Sequence, residues 1–241
     1  AAYFFARQLT ESLHLPVGLV INSWGGSAIE AWMDEPTLKT VEGMDIEAAK
    51  NPKRGVHQRL ECLYNLMLWP VKNFTAKGFL WYQGESNISN YQFYAPMMTA
   101  MVQLWRNVWE APDMPFYYVQ IAPYKYENSS NTGAALLREA QMEALKTIPN
   151  SGMVPTTDIG DEFCIHPPQK DVVGLRLATL ALTKTYGIRR LPSNGPTMTK
   201  VDYADKKAIV TFDNAPAGLF PTFSELEGFE IAGADKKFYP A

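Results

Sequence analysis

The chain has 241 residues, enough for one sizeable hydrophobic core and a small second unit. Its 46% hydrophobic and 20% charged residues give a globular balance and exclude a disordered chain. The net charge of -3 leaves no basic surplus to neutralise phosphates, which argues against a nucleic-acid partner, and no run of about 18 apolar residues occurs, so no membrane span is expected. Two cysteines, Cys62 and Cys164, are too few for a disulfide framework or a cysteine-rich zinc site. No signal peptide is visible, and the chain opens without Met inside what reads as a helix. Aromatic residues reach 12%, and composition alone does not divide them between core and sugar-stacking surface.

In chain order, Ala1 to Leu13 carries apolar residues at helical spacing, and Pro16 closes that element. Val17 to Ile21 is a short apolar run and predicts a strand buried on both faces of a parallel sheet. Phe79 to Tyr82 and Phe116 to Ile121 read the same way, and Met153 to Thr157 is a weaker candidate. Helical patterns alternate with them over Gln58 to Leu68, Tyr91 to Trp109, Gly133 to Ile148 and Val172 to Tyr186. In the second of these, Phe93, Met97, Met101, Leu104 and Val108 form the predicted buried face. Strands alternating with helices imply an α/β domain with a mainly parallel sheet, whose chemistry sits on loops at the carboxyl ends of strands. After Tyr186 the pattern changes to two β-hairpins, one around Ala204-Asp-Lys-Lys and one around Ala234-Asp-Lys-Lys. A boundary near Leu191–Pro192 divides the chain into residues 1–190 and a β-rich region, 191–241.

Three loops carry candidate chemistry. Asn22-Ser-Trp-Gly-Gly-Ser-Ala-Ile-Glu-Ala-Trp32 follows the first predicted strand, and the N–H groups of Gly25 and Gly26 could stabilise an oxyanion. A tight strand-to-helix turn explains the glycines equally well. Trp81-Tyr-Gln-Gly-Glu-Ser-Asn87 follows another strand, with Gln83 as an amide donor and Glu85 as a carboxylate. Its blander reading is a polar loop with Asn87 capping a short helix. Ser86 and Ser27 are the hydroxyls inside these strings, and neither lies in a Gly-x-Ser-x-Gly nucleophile elbow. Asp158-Ile-Gly-Asp-Glu-Phe-Cys-Ile-His-Pro-Pro168 holds His166, whose backbone two prolines fix and which has acids nearby. His14 reads as a surface residue, and His57 has no assigned role. The Cys164-x-His166 pair has no second cluster at metal-ligand spacing, and phosphate-binding glycine loops are absent.

Taken in order, these strings resemble the sialate O-acetylesterase-type SGNH hydrolases. Val17 to Met33 is similar to the second block of that family, Trp81 to Asn87 to the third, and Ile165 to Ala178 to the block holding the catalytic histidine. Arg138-Glu-Ala-Gln141 resembles a further family string, and Gly228 to Ala241 a β-rich region that follows the esterase domain. The resemblance implies a flavodoxin-like three-layer fold and deacetylation of a sugar without metal or organic cofactor, in a periplasmic or secreted protein. It implies His166 as general base, Glu85 as its orienting acid, with Asp161, Asp158 or a backbone carbonyl as alternatives, and Gly25 or Gly26 and Gln83 in the oxyanion hole. SGNH enzymes also use an Asp three residues before the histidine; that position is Phe163 here. The family's nucleophilic serine lies in a Gly-Gln-Ser-Asn-like block that this sequence does not contain, so residues 1–241 alone are expected to be inactive. The rival expectations are a non-catalytic carbohydrate-binding protein and an esterase fold whose site has decayed.

Overall fold

The computed structural model describes residues 1–126, 132–188, 193–215, 218–219, 226 and 228–241. Two compact units divide at Asn194 and Gly195. The boundary read near Leu191–Pro192 lies outside the described residues.

The larger unit is built on three parallel strands in the order β1 (Phe79–Trp81), β2 (Phe116–Val119) and β3 (Ser151–Val154). Side chains alternate across a strand, so β2 divides its residues between the two faces. Phe116 and Tyr118 enter one cluster together with helices α4 (Tyr94–Val108) and α5 (Gly133–Thr147). Tyr117 and Val119 enter the other, with α1 (Ala2–Leu13) and α6 (Lys170–Lys184). Two further short helices, α2 (Glu35–Leu38) and α3 (Ile46–Lys50), precede the sheet. The result is the flavodoxin-like three-layer sandwich, with both faces of a near-continuous apolar strand buried. Arg106 of α4 is almost wholly buried and ties strand ends together, donating from Nε to Met114 O at 2.9 Å and from Nη2 to Pro149 O at 2.7 Å.

Three expectations change. Val17 to Ile21 has no regular secondary structure and joins no strand ladder among the described residues, and Val20 and Ile21 are 58% and 67% exposed. A buried strand needs neighbours to take its N–H and C=O groups, and no described strand lies alongside this run. Only Val17 packs on the α1 and α6 side, while Asn22 Nδ2 anchors the end of the run to Met67 O at 2.9 Å. The continuous helix read over Gln58 to Leu68 is broken at Glu61, whose φ is 66°. Tertiary bonds outweigh helical propensity there: Glu61 N donates to Glu30 O, and its carboxylate accepts from Glu35 N at the start of α2. What remains is a 3-10 turn, Val56–Gln58, and a π turn, Tyr64–Leu68. The buried face of α4 is also rotated from the predicted one. Tyr94, Met97, Met98, Met101, Val102 and Trp105 are buried, while Phe93, Leu104 and Val108 are only partly so.

The smaller unit holds two antiparallel hairpins. Strands β4 (Thr197–Ala204) and β5 (Lys207–Asp213) turn through Asp205 and Lys206, both left-handed at φ 51° and 61°, as a two-residue hairpin turn requires. Strands β6 (Glu230–Ala232) and β7 (Phe238–Pro240) form the second hairpin.

Gly174 lets α1 cross directly over α6. A Cβ there would lie 2.5 Å from Phe4 Cβ, 2.7 Å from Ala1 O and 2.8 Å from Phe5 N. Alanine in a helix gains ~1 kcal/mol over glycine, but two of these neighbours are backbone and cannot rotate away. Overpacking costs about 1–3 kcal/mol, so Gly174→Ala is expected to destabilise the protein and lower its thermal midpoint. A raised midpoint would show that α1 is free to slide.

Candidate active site

The loop after the exposed run turns inward at Ser27. Gly25 and Gly26 remain exposed, whereas Ser27 to Met33 are buried. Gly26 has φ 71°, a left-handed conformation that favours glycine. Its carbonyl is fixed by Ser86 Oγ at 2.9 Å and Gln58 Nε2 at 3.0 Å. Among the described residues the N–H groups of Gly25 and Gly26 donate to no acceptor. Two N–H groups therefore stay available on a turn whose carbonyl is held in place.

The loop after β1 is locked by packing and by a buried polar network. At Gly84 a Cβ would lie 2.6 Å from Ile121 Cγ2 and 3.2 Å from Gln141 Nε2, so the position admits only glycine. Gln83 Nε2 donates to Ser27 O and to Asn87 Oδ1, each at 2.8 Å. Gln83 Oε1 accepts from Tyr94 OH at 2.9 Å. Asn87 Oδ1 also accepts from Ile29 N at 3.0 Å, and Asn87 Nδ2 donates to Glu30 at 2.8 Å. Gln141, fully buried, donates to Gln83 O at 3.2 Å and accepts from Ile121 N at 2.9 Å.

This geometry corrects the expectation for Gln83. Both of its amide hydrogens are engaged inside the protein, with Ser27 O and Asn87 Oδ1, so in this structure none is left to donate to an oxyanion. Asn87 does not cap a helix but joins the two loops. The network partners Glu30, Tyr94 and Gln141 were not singled out from sequence, although Glu30 and Gln141 stand inside the recognised strings.

The third loop brings His166 to the surface. Asp161 Oδ1 accepts from Phe163 N at 2.7 Å and Cys164 N at 2.9 Å, which shapes the turn leading to the histidine. Asp158 makes a two-point ion pair with Arg176 of α6, at 2.8 and 2.5 Å, and the guanidinium holds its carboxyl below the usual range. Both alternative acids thus have structural partners. Glu85 differs. Burial pushes its carboxyl up, against the backbone N–H groups of Glu85 and Gly84 and the charges of His166 and Lys170. Glu85 and His166 stand on loops some eighty residues apart in sequence, and no hydrogen bond joins them among the described residues. Lys170 lies over the Tyr82 ring, 5.2 Å from its centroid. Ser27 Oγ accepts from Trp32 Nε1 at 3.0 Å and Ser86 Oγ is bound to Gly26 O, so both motif hydroxyls have structural partners. Among the described residues no group of three or more His, Cys, Asp or Glu could hold a metal ion, and no helix is long and apolar enough to cross a membrane.

The model of the sialic acid-specific acetylesterase family of carbohydrate esterases matches residues 1–183. Mouse sialate O-acetylesterase is 31% identical over 83% of this chain and 45% of its own length. The human sialate O-acetylesterase is 30% identical over 86% of this chain and 43% of its own. The crystal structure of a carbohydrate acetylesterase from Xanthomonas citri superposes with a TM-score of 0.84 at 35% identity, covering 99% of this chain and 52% of that one. The chain thus spans about half the length of the curated relatives it matches.

A carboxyl whose folded-state proton affinity is raised costs stability once ionised, so its contribution is most favourable in acid and declines as pH rises through the folded value. Glu85→Gln removes that cost. The variant is expected to melt higher than the parent at neutral pH, with the gap closing toward about pH 4, the unperturbed carboxyl range. Asp158 carries the opposite dependence, its contribution being lost as pH falls, but it is common to both proteins and cancels. Thermal melts across pH check this; a variant less stable at neutral pH would show that the carboxylate is held by more favourable contacts than burial costs.

Proposed function

Because the chain belongs to the sialic acid-specific acetylesterase family of carbohydrate esterases, we propose that it forms the histidine-bearing part of an enzyme that removes acetyl groups from a sugar. The observation that carries this reading is the match of the family model to residues 1–183, a span that contains His166, Glu85 and the Gly25–Gly26 turn. A serine outside this sequence attacks the acetyl carbonyl. His166 takes its proton as the C–O bond to the nucleophile forms, then gives a proton to the departing sugar hydroxyl. Glu85 orients the imidazole and stabilises the imidazolium. Gly25 and Gly26 N–H receive the negative charge on the carbonyl oxygen, and removing one such donor typically costs about 100- to 1,000-fold in rate. Water then cleaves the acetyl-serine by the same steps in reverse, releasing acetate. A glycan ester substrate fits a periplasmic or secreted enzyme. A binding protein without turnover, or a decayed esterase, is the second reading. The structural partners of Ser27 and Ser86 favour it only where no serine is supplied from outside.

In a protein extended to the length of its relatives, His166→Ala is expected to lower acetyl ester hydrolysis by at least ~100-fold with folding intact. Retention of more than about a tenth of the rate would remove His166 from the base role. Residues 1–241 alone are expected to turn over no ester at an enzymatic rate. Robust turnover with a phosphonate label on Ser86 or Ser27 would move the nucleophile into this chain.

A further inference from the structure

We propose that Trp24, backed by His57, is a stacking platform that takes the apolar face of an acetylated pyranose beside the Gly25–Gly26 turn. The proposal rests on the esterase reading and adds a binding subsite to it.

Trp24 is 50% exposed, in contrast to the buried Trp32, Trp81 and Trp105. It is also held. Its ring lies parallel to that of His57, with 8° between the planes and 6.3 Å between centroids. His57 in turn lies against two glycines: a Cβ on Gly55 would be 3.2 Å from its Cε1, and one on Gly26 would be 3.6 Å from its Nε2. The neighbouring Gln58 is tied to Gly26 O at 3.0 Å. The segment that carries His57 and the turn beside the indole are therefore tied together by the Gln58 bond.

A pyranose with equatorial substituents presents axial C–H groups on each face, and these pack well on an electron-rich aromatic surface. Half of the Trp24 residue is exposed, and the turn beside it is open at Gly25, where a Cβ would meet nothing within 4 Å. Successive Cα atoms are about 3.8 Å apart, so Trp24 lies at most ~7.6 Å from Gly26. That is the scale of one sugar ring and its ester. A ring stacked on Trp24 can therefore place an acetyl carbonyl at the unpaired Gly25 and Gly26 N–H groups. Because the stacking face is uncharged, it selects for ring shape.

The test uses residues 1–241 and a peracetylated methyl xyloside, followed by saturation-transfer NMR and titration. Aromatic stacking of this kind is worth about 0.5–1.5 kcal/mol, a factor of ~2- to 12-fold in affinity. Trp24→Ala is expected to weaken xyloside binding by that factor and to abolish transfer to the axial ring protons. Trp24→Phe keeps most of the affinity, and His57→Ala falls between the two because the indole loses its support. Binding by Trp24→Ala equal to that of the parent, or no binding by the parent, would overturn the platform. Hydrolysis of ethyl acetate by the extended protein separates the two readings. Ester turnover without Trp24-dependent sugar binding removes the platform alone, and Trp24-dependent binding without turnover removes the esterase reading alone.

Discussion

The arrangement of the site depends on a buried carboxyl group, that of Glu30, which is paired with amides and with no Lys, Arg or His among the described residues. Glu30 is 7% exposed, and its carboxylate accepts from the side-chain amides of Asn87 and Asn90. An isolated buried carboxylate is costly unless its oxygens are saturated by donors. Asn87 meets that demand and uses its own carbonyl to hold Ile29 N and Gln83 Nε2. Two loops from distant parts of the chain thus become one rigid body, with the Gly25–Gly26 turn at one end and Glu85 at the other. Removing one member would leave several neighbours unsatisfied, each at roughly 1–3 kcal/mol. Such a network therefore holds or fails as a whole.

Beneath that body lies a bed of aromatic rings packed edge to face. Trp81 meets Trp32 at 5.8 Å and Trp105 at 5.5 Å, and Phe79 meets Trp105 at 5.3 Å. Trp105 Nε1 donates to Trp32 O, and Trp81 Nε1 to Tyr94 OH, so the indoles bury their area and satisfy their polar edges at the same time. The second of these bonds ends in the Gln83 network, which connects core packing to loop geometry.

The alternation of apolar runs and helical periods made the layered fold legible in the sequence, because strands buried on both faces leave little other pattern. His166 stands out locally as a histidine before Pro-Pro, whereas the role of Glu85 comes only from the resemblance of its string to the family. What sequence did not reveal is which side chain satisfies which other. Gln83 reads as a free amide, and only the fold shows Ser27 O and Asn87 Oδ1 facing it. Asp158 and Asp161 read as equivalent acids until Arg176 and the turn at Phe163 take them. Val17 to Ile21 has the composition of a buried strand, but burial depends on neighbours that no single segment encodes.

The interlock of α1 with α6 through Gly174 has a consequence for the order of folding. The two helices lie about 160 residues apart in sequence, yet each covers the other's apolar face. A ribosome delivering this chain releases α1 long before α6 exists, so the contacts of Phe5 and Leu9 with α6 form only after the intervening sheet has been made. Contacts of such separation form slowly, since a long loop must close before they reward the chain. The apolar face of α1 therefore waits for α6, and the docking of the two helices closes this face of the sandwich.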